Sequence, residues 1–254
     1  MKPFVEELRK RFATSIHAES DDRWDLALYV NKDRVFDILK HLKESGFEFL
    51  IDICGVDYPE RSTRFDVVYH LFSLSRKKRL RVKTKIAEFE PVPSVTPLWK
   101  GANWYEREVY DMFGVRFSGH PNLKRILCHQ KFVGHPLRKD YDPEQRQPLD
   151  RTAAIEELMT VTPEDLQEES FEKRVLINIG PSHPASHGTL RAMAVLEGEK
   201  IVKGDVEIGY LHRCFEKMAE THPYHQVIPY TERLNYASGP MNNFGFCLAM
   251  EKLM

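Results

Sequence analysis

The chain has 254 residues, 42% hydrophobic and 30% charged, with a formal net charge of -1. At about 150 residues per domain this allows one or two domains, and the composition excludes a fibrous or disordered chain. The balanced charge excludes a bulk electrostatic field aimed at nucleic acid or anionic lipid.

Residues 4–13 alternate apolar and charged positions at helical spacing, and the N-terminus turns acidic without the apolar core of a signal peptide. Trp24 to Val30 reads as a strand with Leu26, Leu28 and Val30 on one face. Val35, Ile38, Leu39 and Leu42 form a helical stripe that ends at Gly46, a C-cap glycine. Phe47 to Val56 and Phe65 to Leu74 read as largely apolar strands.

Seven of the ten residues from Arg76 to Lys85 are basic. From Arg79 they alternate with Leu80, Val82 and Ile86, which predicts a strand with a basic outer face. Three readings stand: a solvated edge strand protected against aggregation, a docking face for an acidic partner, and nucleic-acid binding. The last lacks interleaved aromatic platforms. After a Pro-marked loop at Pro91, Pro93 and Pro97, Asn103 to Phe113 predicts a short amphipathic helix stopped at Gly114. His120 to Tyr141 has anchors such as Leu123, Ile126 and Phe132 but no period, so it reads as an extended arm lying on another surface.

Asp142 to Ser170 carries nine acidic and two basic residues and reads as an acidic linker. Beyond it, Val175–Ile179, Thr189–Leu196 and Lys200–Val206 predict strands. Helices are predicted near Leu211–Glu220, at Tyr224–Tyr230 and from Met241 onward. The last helix reaches Met254 without a cap, so the sequence reads as a piece of a longer polypeptide. The longest uncharged run, Leu234 to Met250, holds Asn, Ser, Gly and Pro and is no membrane span.

Cys54, Cys128, Cys214 and Cys247 lie far apart without a CxxC pair, which argues against a thiolate metal or iron–sulfur site within the chain. They read as reduced cytosolic thiols. No GxGxxG, P-loop or GxSxG motif is present. Six of the eleven histidines fall in two clusters: His120, His129 and His135, then His183, His187 and His212. The first cluster lies in a repeated Gly-His-Pro whose spacing fits no standard metal-ligand pattern, so hydrogen bonding of the arm is favoured over metal binding. The second lies around a Gly/Pro-bounded hairpin loop, which would present imidazoles able to exchange protons near neutral pH.

The run Glu106-Arg107-Glu108-Val109-Tyr110-Asp111-Met112-Phe113-Gly114, with Gly119-His120-Pro121-Asn122-Leu123 and Gly134 to Tyr141, resembles the C subunit of respiratory complex I, the NADH–quinone oxidoreductase. Asn178 to Gly188 and Gly209-Tyr210-Leu211-His212-Arg213, with Glu216-Lys217, resemble the start of its D subunit. The resemblance therefore implies a fused C/D subunit of α+β class. Residues 1–141 would be a C-subunit-like domain with an extended arm, 142–170 the acidic linker, and 171–254 the N-terminal part of a domain like the large subunit of [NiFe] hydrogenases, a β-hairpin sheet plus helices.

The resemblance further implies that His187 and Tyr236 flank the quinone headgroup and that Arg213 lies near the terminal iron–sulfur cluster of a partner subunit. Cys214 stands where the family usually has glycine. The hydrogenase relatives hold nickel through cysteines that correspond to Asn235 and Ser238 here, and these cannot build a soft metal site. The chain itself is expected to bind no flavin, NADH, metal or cluster. FMN and iron–sulfur clusters would sit in other peripheral-arm subunits, quinone would be the substrate, and membrane-arm subunits would be neighbours. The expected location is peripheral, on the cytoplasmic face of the bacterial inner membrane. A related quinone reductase with ferredoxin or a deazaflavin as donor, or a non-catalytic scaffold, are the alternatives.

Overall fold

The structure, a computed structural model, describes residues 8, 10–12, 15–21, 26–144, 147, 174–186 and 188–254. It divides into two compact units, Met1–Leu211 and His212–Met254. Among the described residues it is α+β, with separate sheets and helices.

The first unit opens with strand β1 (Ile16–Asp21) and strand β2 (Leu26–Val30), then a 3-10 turn at Lys32–Arg34 and helix α1 (Val35–Glu44). Strands β3 (Phe49–Asp57), β4 (Phe65–Ser73) and β5 (Lys78–Ile86) follow. They form one sheet in the order β1-β2-β5-β4-β3, antiparallel except for the parallel pair β2–β5. Val35, Ile38, Leu39 and Leu42 on α1 are all buried. They share a core with Leu28, Leu80, Val82, Tyr69 and Leu71 from one face of the sheet. A Val/Ile/Leu stripe at helical period thus meets a strand face of period two. Gly46 has φ +94°, the left-handed turn its helix end requires.

The basic strand is not an edge. β5 lies in the middle of the sheet, between β2 and β4. Its alternation is as expected, with Leu80, Val82, Thr84 and Ile86 buried and Arg79, Arg81, Lys83 and Lys85 outside the core. Alternation assigns faces; it says nothing of neighbours, and here the parallel return beside β2 moved the strand inward.

A two-stranded parallel pair, β6 (Val92–Pro93) and β7 (Phe117–Ser118), brackets helix α2 (Ala102–Phe113). Gly114 ends α2 at φ +79°. Residues 120–141 then run without regular structure, as the absent periodicity predicts. Apart from residues 142–144 and 147, the acidic segment 142–170 lies outside the described residues. Strands β8 (Arg174–Ile179), β9 (Arg191–Glu197) and β10 (Lys200–Glu207) form an antiparallel sheet in the order β10-β9-β8. Lys124 of the arm pairs with Asp205 of β10 at 3.2 Å, so the arm meets this sheet within the first unit.

The second unit contains helices α3 (Phe215–Thr221), α4 (Tyr224–Glu232) and α5 (Gly239–Leu253), with a 3-10 turn at Tyr236–Ser238. No helix among the described residues is long and apolar enough to cross a membrane.

Candidate functional site

The motif on α2 is a structural clamp. Arg107 and Asp111 lie one helical turn apart and both are buried. Arg107 donates from Nε to the Lys124 carbonyl at 3.1 Å and from Nη2 to the Arg125 carbonyl at 2.9 Å. Asp111 Oδ2 accepts the amides of Ile126, Leu127 and Cys128 at 3.0, 2.8 and 2.8 Å. Its Oδ1 receives Arg125 Nη1 at 2.6 Å. One buried carboxylate thus satisfies three successive backbone donors of a segment that has no ladder of its own.

The rest of the arm is fastened in the same way. His135 Nδ1 lies 2.9 Å from the Asp111 carbonyl, and Arg138 Nε donates to the Phe113 carbonyl at 2.6 Å. A side chain at Gly114 would strike Arg138 and His135 at 2.6 Å, so both the close approach and the positive φ require glycine. Lys139 donates its amide to Asp57 Oδ2 at 2.8 Å. Asp57 also receives Arg64 through two bonds of 2.7 and 2.9 Å. Burial opposes ionisation of Asp57, yet Arg64 and the Lys139 amide outweigh it and hold the carboxyl below its usual value.

The Gly-His-Pro histidines are hydrogen-bonded parts of this assembly. His120 Nε2 lies 3.1 Å from the Asn103 carbonyl, and its Nδ1 accepts the Asn122 amide at 3.0 Å. Burial lowers the pKa of both His120 and His135, partly countered by their backbone partners. Among the described residues no group of three His, Cys, Asp or Glu side chains could hold a metal ion. The sequence pattern alone does not mark Asp111 as a hub. Its signal is a carboxylate on the buried stripe of an amphipathic helix.

His187 lies outside the described residues. The hairpin that carries it, between β8 and β9, is closed by short-range bonds: His183 Nδ1 accepts the Ala185 amide at 3.1 Å, and Ser186 Oγ donates to the His183 carbonyl at 2.9 Å. Gly180 has φ +91°, and a Cβ there would lie 2.0 Å from the Leu190 carbonyl oxygen. The loop backbone is thus packed against the start of β9.

Arg213 and Tyr236 belong to the second unit. Arg213 is exposed, with its guanidinium 5.6 Å from the centroid of the Tyr230 ring. Cys214, next to it, caps α3 with φ +48° and ψ +46°. This is the left-handed region that glycine adopts without cost, a physical reason for the glycine expected there from the resemblance. Tyr236 sits in the 3-10 turn, is 56% exposed, and its hydroxyl makes no hydrogen bond with the described residues. A free phenol of this kind can donate to an incoming oxygen.

Residues 28–147 match the respiratory-chain NADH dehydrogenase 30 kDa subunit model. This stretch of the chain belongs to that family. The chain is 54% identical, over 94% of its length and 42% of the relative's, to a C/D subunit of NADH-quinone oxidoreductase from Bdellovibrio bacteriovorus. It is 42% identical, over 89% of its length and 41% of the relative's, to a C/D subunit of the same enzyme from Ectopseudomonas mendocina. The chain therefore spans about two fifths of the length of the curated relatives it matches. Among solved structures, it is similar to a chain of the membrane-bound sulfane sulfur reductase, an archaeal respiratory membrane complex. There the TM-score is 0.50 at 29% identity, covering 56% of this chain and 86% of that one.

Proposed function

We propose that the chain is a peripheral-arm subunit of a proton-translocating NADH–quinone oxidoreductase, in which residues 1–141 dock and stabilise and residues 171–254 supply one wall of the quinone cavity. The observation that carries this reading is the 54% identity to a C/D subunit, which runs through both parts of the chain. The C-like and D-like parts meet at the acidic segment 142–170, and the D-like part has the fold start of a [NiFe]-hydrogenase large subunit. Its site lies on the cytoplasmic face of the bacterial inner membrane, alongside partner subunits that hold FMN and iron–sulfur clusters.

In this reading His187 and Tyr236 each serve one carbonyl oxygen of the quinone. As the ring gains two electrons, the imidazole and the phenol stabilise the developing negative charge and pass protons to it. The hydroxyl of Tyr236, without a hydrogen bond among the described residues, and the closed hairpin beside His187 support these roles. Arg213 lies near the partner's terminal cluster, where a permanent positive charge raises the reduction potential.

The test compares NADH-to-quinone with NADH-to-ferricyanide turnover in membranes holding normally assembled enzyme. His187→Ala and Tyr236→Phe should each lower the first by roughly a hundred- to a thousand-fold, the value for loss of one preorganised donor, with Tyr236→Phe at the lower end. The second should survive. Unchanged quinone turnover in both variants would remove the assignment. A second reading is a related respiratory complex with another electron donor, favoured by the similarity to a chain of the sulfane sulfur reductase. Co-purification without a flavin-bearing NADH-oxidising partner would select it.

A further inference from the structure

The core cluster lies against one face of the five-stranded sheet; on the other face Ala27, Val68 and Asp66 are buried, whereas Phe49, Arg79 and Lys85 are exposed. Positions pointing the other way include Phe49 and Cys54 on β3, Asp66, His70 and Phe72 on β4, Arg79 to Lys85 at alternate residues on β5, and Tyr29 on β2. None of them belongs to the core cluster.

Along the middle of this face runs the stripe Arg79, Arg81, Lys83 and Lys85. At about 3.3 Å per residue it extends roughly 20 Å. At its Lys85 end is a recess of about 530 Å³, with Tyr29, Arg61 and Asp66 in its walls. Arg61 is matched there by Asp66 at 3.5 Å, and Lys32 by Glu90. Asp66 stands opposite Lys85 across the β4–β5 pair and its charge acts on both Lys85 and Lys83, but neither lysine forms a close ion pair with it. Lys83 Nζ donates to the Tyr29 hydroxyl at 3.4 Å, and Lys85 Nζ lies 5.5 Å from the Tyr29 ring centroid. No carboxylate of the described residues forms an ion pair with either. Further across the face, Phe49 is 55% exposed and stands opposite Phe72.

We infer that this face is a docking surface for an acidic polypeptide segment of a neighbouring subunit, whose carboxylates meet the Arg79–Lys85 stripe while its apolar side chains meet Phe49 and Phe72. Like charges at every second residue in the middle of a sheet repel one another, so the strand is destabilised unless counter-charge is brought to it. A single small anion would match only the Lys85 end of a stripe this long. An extended segment with carboxylates at alternate positions has the same period as the strand beneath it. The mix of aromatic and basic groups is also the composition enriched at protein interfaces.

This inference rests on the reading of the chain as one part of a larger enzyme. Its test uses the purified assembled complex and a carbodiimide, which joins ion-paired lysine and carboxylate without a spacer. Mass mapping should find Lys83 or Lys85 joined to Asp or Glu of another subunit. The Lys32–Glu90 and Lys124–Asp205 pairs report that the reagent has worked. The double variant Lys83→Glu/Lys85→Glu should leave the complex at lower salt, with retention after a high-salt wash falling roughly tenfold, while Lys83→Arg/Lys85→Arg is retained. Links from both lysines only to this chain's own carboxylates, including those of 142–170, would overturn the inference. So would equal acetylation of both lysines in the free chain and in the complex. If the chain purifies without any other subunit, the functional reading fails together with the inference, and the absence of other subunits from the preparation identifies that case.

Discussion

In the five-stranded sheet and its helices, side chains as large as Tyr69, Phe47 and Phe65 are wholly buried. In His212–Met254 the apolar side chains lie the other way: Val227 is buried, while Tyr224, Leu234, Met241 and Phe244 are between 57% and 74% exposed. α5 is apolar around most of its circumference, and of its residues only Gly239 is buried. A helix of that composition is stable when other surfaces cover it. The first region therefore carries its own core, whereas the second needs cover to bury its apolar surface. Tyr236 and Arg213, the residues proposed to serve electron transfer, stand in the second.

The contrast can be broken by mutation. The largest effect is expected at Asp111, whose replacement by alanine strands Arg125 and three amides and should cost about 3–5 kcal/mol in urea unfolding of the chain. Hydrogen exchange at Ile126 to Cys128 should speed up in parallel; an unchanged midpoint would show that the arm is held without the clamp. Next, Leu39→Ala should cost about 2–5 kcal/mol, while Met241→Ala, at a 74% exposed position, stays within about 0.5 kcal/mol. Equal losses would erase the distinction between the regions.

A pH profile sharpens it further. Burial pushes the Glu106 carboxyl up from 4.5 to about 7, against the opposing bonds from the Val95 amide and Ser94 hydroxyl. The folded chain thus holds a proton that the unfolded chain has already lost. Its stabilising contribution is complete below about pH 4.5 and disappears as pH rises through about 7. At about 1.4 kcal/mol per unit the loss is on the order of 3–4 kcal/mol, and Glu106→Gln should flatten this part of the profile. A wild-type profile as flat as the variant's would refute the assignment. The smallest effect concerns Cys214. Glycine removes a left-handed strain of roughly 1 kcal/mol but adds unfolded-state entropy, so Cys214→Gly should raise stability by no more than about 0.5 kcal/mol. A loss above about 1 kcal/mol in thermal unfolding would instead assign the thiol a structural contact, such as the 3.8 Å approach of its Sγ to His212 Nδ1.

Local periodicity determined much of the first region. The stripe Val35, Ile38, Leu39 and Leu42, the stops at Gly46 and Gly114, and the alternation from Arg79 to Ile86 all express geometry within a few residues. The arm was legible by elimination, since its donors had to be satisfied elsewhere. Tyr236 and Arg213 were different. Nothing in their own surroundings in the sequence distinguishes them from surface residues, and only the resemblance to a long, specific family pattern singled them out.

Tertiary structure decided what periodicity cannot express. Alternation places the cations of β5 on one face, but the parallel pairing with β2 made that strand central and put the positive stripe in the middle of that face. The Glu106 to Gly114 motif could be recognised in sequence, yet why it needs an aspartate at 111 emerged only when residues 126–128 were seen presenting three amides to it. The physical reason is range: side-chain period is set by bonds to adjacent residues, whereas the partner of a buried charge or a central strand is chosen by chain segments far away in sequence.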